Sequence, residues 1–301
     1  MAKAPATTAG TELEKEIPVS EEVLRALDED MGKGVSTDAA DNLVPLIYVL
    51  QPLSPQVLDG PAHMENARSG DFWLKNFHVP IIQGKVGIDF QPCVMYQKWT
   101  EWIPRAQGGG FIASYDYNGG KLPEGATRDD KVKNRPRYYF PDTGNDCVDT
   151  RYEAGFVWHD GNPYPYVIPF KSTGHKVSRS WMTKRTSLQR RVRGGSNTNN
   201  SNIWPAWSHL YHLTTIMQSN NQGQWYTIDV GEPMFYLSGF PEKPHREGLK
   251  IVGNDPNRAY MMGQALAEAF RSGRKMEAPE DAGIDEADRA DAAGDPDKIP
   301  Y

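Results

Sequence analysis

The sequence predicts a mainly β fold of the α+β class, either an elaborated OB-fold-like barrel or a curved antiparallel sheet with two or three helices. Three observations lead there. Short stretches of period-two alternation recur through the middle of the chain. Turns rich in Gly and Asn join them in pairs, and only a few segments carry the 3.6-residue period of a helix. With 301 residues and 38% hydrophobic content, the chain can bury a sizeable core.

Residues 1–41 are rich in Ala, Thr, Glu and Gly and hold one short helical candidate, residues 20–31, with Val23, Leu24 and Leu27 on one side. They predict a disordered acidic arm. The folded body starts at Asn42, where Leu43, Val44, Ile47, Tyr48, Val49 and Leu50 crowd together before Pro52 and Pro55 interrupt them. From Val86 the chain alternates, with Ile88 and Phe90 on one side and Asp89 and Gln91 on the other, and continues through Val94 and Tyr96. That pattern is a half-buried strand. Gly108, Gly109 and Gly110 make a turn into a returning strand from Phe111 to Ser114. A loop over 118–136 follows, then β-like pieces at 152–158 and 164–170, and a second hairpin joins 207–217 to 224–230.

Two helices are expected in the body. The first covers about 174–193, bounded by Gly194 and Gly195. The second has Asp255 as N-cap, Pro256 in its first turn and Gly273 as its stop, with Ala259, Met262, Leu266, Ala269 and Phe270 at helical spacing. No periodicity remains beyond Lys275. The chain thus divides into an arm (1–41), a body (42–275) and a disordered acidic tail (276–301).

Charge follows the same division. The arm carries −6, the body +7 and the tail −7, which together give the net −6 of the whole chain. A basic body between acidic ends can attract phosphate. No apolar run approaches the ~18 residues of a membrane span, and the N-terminus lacks a signal-peptide pattern, so a cytoplasmic location is expected. Cys93 and Cys147 lack the spacing of a disulfide framework or zinc site and are expected to be reduced and buried.

The segment 171–193 concentrates cations, Lys171, Lys176, Arg179, Lys184, Arg185, Arg190, Arg191 and Arg193, with no acid among them. Strung along a helix they suit several phosphates, and a merely solvated basic face is the competing reading. Single-strand binders interleave such cations with rings on which bases stack. Strict alternation from Val86 sets Trp99 on the polar face with Asp89 and Gln91, although a bulge at Pro92 would exchange the faces. Alternation also sets Trp225 with Thr227 and Asp229, away from Tyr226, Ile228 and Val230. Trp99, Phe111, Trp181 and Trp225 are therefore the stacking candidates, and Arg105 beside the glycine turn is a phosphate or ring-stacking candidate.

The chain ends Asp295, Pro296, Asp297, Lys298, Ile299, Pro300, Tyr301. This resembles the acidic tail of bacterial and phage single-stranded DNA-binding proteins, which ends in Ile-Pro and an aromatic residue. The resemblance implies that Ile299 and Tyr301, stiffened by Pro300 and led by Asp295 and Asp297, dock in an apolar, base-rimmed pocket of a replication or recombination protein. An ordinary solvated acidic tail is the alternative. The segment 99–111 also resembles parts of phage replication-module proteins.

No P-loop, Gly-x-Ser-x-Gly, His-Glu-x-x-His or dinucleotide fingerprint occurs, and the sequence calls for no cofactor. His209 and His212 would point to opposite faces of a strand, which favours a structural role. The expected activity is non-enzymatic, sequence-independent binding of single-stranded DNA, as monomer or homo-oligomer. Three alternatives stand beside it: a strand-annealing recombination protein, a metal-dependent nuclease built on carboxylates such as Glu101, Asp116, Asp142 and Asp229, and a virion structural protein.

Overall fold

The computed structural model describes residues 44–130, 137–188, 204–220, 223–237 and 246–272. In chain order they form β1 (Ile47–Val49), β2 (Phe72–Leu74), β3 (Ile81–Ile82), β4 (Ile88–Trp102), β5 (Phe111–Asp116), β6 (Thr127–Asp129), β7 (Arg137–Tyr139), β8 (Asp146–His159) and β9 (Asn162–Lys171). Helix α1 (Gly174–Ser187) follows, then β10 (His209–Asn220), β11 (Gly223–Phe235), α2 (Arg246–Ile251) and α3 (Pro256–Arg271).

The two longest hydrophobic alternations form the spine. β4 and β8 pair antiparallel from Asp89 opposite Trp158 to Trp102 opposite Asp146. Different strands flank this spine at its two ends. β10 and β11 extend the start of β4, with β9 on the matching part of β8, whereas β5 joins the end of β4 and β7 and β6 continue from the start of β8. The result is an open eight-stranded antiparallel sheet with separate edges, so of the two expected architectures the curved sheet holds and the closed OB-like barrel does not. β1, β2 and β3 make a small second sheet that packs Ile47, Phe72 and Leu74 against Phe90, Ile168, Tyr211 and Trp181.

Both expected hairpins form, β4 with β5 and β10 with β11, and the β-like pieces at 152–158 and 164–170 pair as a third. Gly108, Gly109 and Gly110 all take positive φ between β4 and β5. The β8–β9 turn uses Asp160 and Gly161, both left-handed, a two-residue Asp-Gly signal that explains why this pair is so tightly joined. α3 starts where its sequence says: the Asp255 carboxylate accepts from the Arg258 amide at 3.0 Å, and Pro256 sits in the first turn. Its buried residues are Ala259, Gly263 and Ala267, one every four positions. A Cβ on Gly263 would lie 2.4 Å from that of Trp207, so only glycine admits the helix at this depth. Met262 and Leu266 pack beside these small residues, and Phe270 meets Tyr96 with centroids 4.8 Å apart. α2 was not visible as a period because it has only six residues.

Free sheet edges are closed by sequence-encoded devices. In β9 the Val167 amide points away from β8 and donates to the Pro45 carbonyl at 3.0 Å. Period two puts Pro163, Pro165 and Pro169 on the same outward side, where proline has no N–H to offer another strand. On β11 the Gln51 carboxamide acts as a partner strand, accepting from the Tyr226 amide at 2.9 Å and donating to its carbonyl at 3.0 Å. Four residues on, the Lys184 ammonium covers the Val230 and Gly231 carbonyls at 2.8 and 3.3 Å. Removing both caps, as Gln51→Ala with Lys184→Ala, is expected to cost about 1 kcal/mol per lost bond and to induce self-association. Size-exclusion chromatography over a concentration series reads this, and a monodisperse, concentration-independent peak for the double variant would refute the edge-cap role.

Candidate nucleic-acid interface

The faces of β4 are set by one irregularity. Its register against β8 slips between Pro92 and Val94, leaving Cys93 as the extra residue of a bulge. Every later side chain changes side. Trp99 therefore lies on the face expected for Phe90, buried at 4% exposure, stacked on Tyr117 and donating its indole N–H to the Lys121 carbonyl at 2.9 Å. The expected polar-face position of Trp99 is corrected: it is a core residue and offers no ring to a base.

The opposite face now carries Lys98, Thr100 and Trp102. The Trp102 indole donates to Thr100 Oγ1 at 2.9 Å, and Thr100 shares a 2.8 Å hydrogen bond with Thr150 on β8. Thr150 pairs with Lys171 at the end of β9, and the Lys171 ammonium stands 3.5 Å from the Trp102 ring centroid, a close cation–π contact. Phe111, half-buried at the start of β5, meets Trp102 edge-on with centroids 5.4 Å apart. Lys98 donates to Ser114 on β5 at 3.3 Å. Four strands thus bring two rings and two ammonium groups onto one face.

That face is stiffened from behind. The Glu101 carboxylate is buried and accepts from the Tyr115 hydroxyl at 2.5 Å and the Asn145 amide at 2.6 Å. Donating to Glu101 pushes the Tyr115 phenol up to about 12, and burial, with Glu101 nearby, pushes the Cys147 thiol up to about 12. Both therefore stay protonated at neutral pH, and the layer under the face is a fixed hydrogen-bonded plate. Where β5 ends, a cleft of about 880 Å³ opens between Lys98, Asp116, Asn118, Lys121 and Glu124, with Leu122 and Pro123 in its wall.

The basic segment is distributed differently from the expectation. Lys176 and Arg179 are exposed on α1. Arg185 is a correction: it is 6% exposed and donates to the wholly buried Glu153 on β8, so it meets no phosphate. Lys184 is tied to Glu232 as well as to the β11 edge. Trp181 is also corrected, being fully buried against Phe90, Phe170 and Tyr211. The reason is common to Arg185 and Trp181: a lone helix on a sheet must bury one side, and Ser178, Trp181 and Arg185 are that side. Since Trp181 packs on Phe90, α1 lies on the face opposite Trp102, and the helix cations do not join the rings in one groove. Arg190, Arg191, Arg193, the Arg105 side chain and the tail residues Asp295, Asp297, Ile299, Pro300 and Tyr301 lie outside the described residues.

Trp225 is half-buried on the side opposite Ile228 and Val230, as alternation expected, with its indole nitrogen enclosed. His209 is wholly buried between the Ser208 and Tyr211 hydroxyls, both 3.1 Å away, while His212 pairs with Asp89 at 2.9 Å. Glu101 is committed to Tyr115 and Asn145, and Asp116, Asp142 and Asp229 stand exposed on separate elements. Among the described residues no three His, Cys, Asp or Glu side chains gather as a metal site, and no helix is long and apolar enough to cross a membrane. Cys93 and Cys147 are free and buried.

Sequence reasoning did not single out Lys98 or Trp102, which the fold brings to this face beside Phe111 and Lys171. The available signal was Pro92 inside a strand, which marks a bulge and with it the exchange of faces. A family model described as Pam3 phage gp34-like protein matches residues 15–276. No curated protein and no solved structure matches the chain significantly.

Proposed function

The chain belongs to the Pam3 phage gp34-like family, and we propose that this phage-type protein is a non-enzymatic binder of single-stranded DNA. The observation that supports this best is the face holding Phe111 and Trp102 between Lys98 and Lys171. A half-buried ring beside ammonium groups on an open sheet is what a flexible strand needs. Every base has a π-face to lay on Phe111, and every phosphate can meet a lysine, so such contacts do not depend on sequence. Trp102, held under Lys171, forms the floor of this platform. Lys176 and Arg179 on α1 would guide DNA approaching from the other side.

In this reading the acidic tail, ending Asp297, Lys298, Ile299, Pro300, Tyr301, recruits replication or recombination proteins in the cytoplasm of a bacterial host. The bound strand is thereby both protected and marked for the partner.

Intrinsic tryptophan fluorescence, titrated with oligothymidine at several salt concentrations and with duplex as competitor, tests the proposal. Quenching that weakens with salt and resists duplex is expected. Phe111→Ala is expected to lose about 5- to 100-fold in affinity, the value of one stacked base. Lys98→Glu with Lys171→Glu is expected to lower the salt slope by about two. Wild-type binding in both variants would remove this face from the interface, and equal preference for duplex would remove the single-strand reading altogether.

A further inference from the structure

The cleft at the end of β5 has a chemistry that the ring platform does not need. It adjoins that platform directly, because Lys98 and Ser114 belong to both. Its other polar groups are of mixed type: the Lys121 ammonium, the Asn118 amide, and the carboxylates of Asp116 and Glu124. A site for backbone alone would exclude carboxylates, since they repel phosphate. Here two of them line the same opening as two lysines, beside the apolar flanks of Leu122 and Pro123.

We infer that this cleft receives one nucleotide of the bound strand and favours a base bearing an exocyclic amino group, cytosine above thymine. The inference rests on the single-strand reading above and adds a position of base preference to it. Lys98 and Lys121 hold the flanking phosphates, and the base lies along Leu122 and Pro123. Asp116 or Glu124 then faces its Watson–Crick edge. An ionised carboxylate only accepts hydrogen bonds. Cytosine presents the N4 amino group as a donor, whereas thymine presents the O4 acceptor at the same position and leaves the carboxylate opposed by a second acceptor. The remaining bases of the footprint meet only ring faces and lysines, so discrimination is confined to this one position.

The test compares oligocytidine and oligothymidine of equal length, at neutral pH and fixed salt, by fluorescence anisotropy with the full chain and with Asp116→Asn/Glu124→Gln. An amide both donates and accepts, so the isosteric variant can serve either base. The wild type is expected to bind oligocytidine about fivefold more tightly or better, in keeping with one base-edge contact. In the variant the ratio is expected to fall to near one. Removing two negative charges raises affinity for both oligonucleotides, so the ratio and not the affinity is the readout. A wild-type ratio near one, or an unchanged ratio in the variant, overturns the inference while leaving single-strand binding intact. Failure of both oligonucleotides to bind overturns the parent reading, and the inference with it.

Discussion

Arg185→Met is expected to destabilise the fold by about 3–5 kcal/mol, the cost of leaving a buried charge without its partner. Glu153 is completely buried on β8, and Arg185 reaches it from α1 with 6% exposure. Burial raises the Glu153 pKa even with the guanidinium present, and Arg185 is the main influence that opposes the rise. Without Arg185 the carboxyl must be buried charged and unpaired or take up a proton. An acid whose folded pKa exceeds its unfolded value weighs least on stability below the unfolded pKa and most as pH rises above it. The deficit of Arg185→Met should therefore shrink on acidification toward the carboxylate range. Urea denaturation at neutral and mildly acid pH measures this. The double variant Arg185→Met/Glu153→Met should recover much of the loss, because apolar groups of similar volume can replace a buried pair. A small, pH-independent loss in the single variant would show that Glu153 finds another partner. At temperatures where Arg185→Met stays folded, its salt slope for oligothymidine should match the wild type, in contrast to the Lys98 and Lys171 variants.

The second large effect is acid lability centred on His209. This imidazole is wholly buried between Ser208 and Tyr211, and burial lowers its pKa to about 3, with Arg185 contributing in the same direction. The unfolded chain binds a proton on His209 near its ordinary value while the folded chain does not. Stability is then complete above that value and falls as pH drops from about 6.5 toward 3, by on the order of 4 kcal/mol across the window. His209→Gln keeps hydrogen-bonding capacity without titrating in this range. It is expected to cost some stability at neutral pH but to flatten the decline between pH 6 and 4. If wild type and variant declined in parallel, His209 would carry no share of the acid lability. The burial of His209 also bears on its spacing with His212. The two side chains engage different partners, the hydroxyls of Ser208 and Tyr211 for one and Asp89 for the other, so they serve the sheet and not a shared metal.

Local order was legible wherever one residue type dictates one backbone behaviour. Asp255 with Pro256 fixed the start of α3, the Gly108–Gly110 run fixed the β4–β5 turn, and alternation in 224–230 correctly separated Trp225 from Ile228 and Val230. Each of these depends on neighbours a few residues away. The division of charge into acidic ends and a basic body, and the residues of the terminal Ile-Pro-Tyr, also belong to the sequence alone. Phe111 and Lys171 were identified as binding candidates from type and context, and the fold brings both to Trp102.

What only the tertiary structure decided is which side of the sheet each group occupies. Strand side chains have a period of two, so one bulge residue, Cys93, reverses the assignment of everything after it and exchanges the faces of Trp99 and Trp102, both of which are buried. Helix burial is likewise decided by the partner. α1 has too few apolar residues to mark its inner side, and it is the fully buried Glu153 of β8 that selects Arg185 as an inward residue from a row of outwardly similar cations. Sequence determines the residue types and local turns because those energies are short-range. The direction in which a side chain points across a sheet depends on pairing between segments about sixty residues apart, and that information exists only once β4 has met β8.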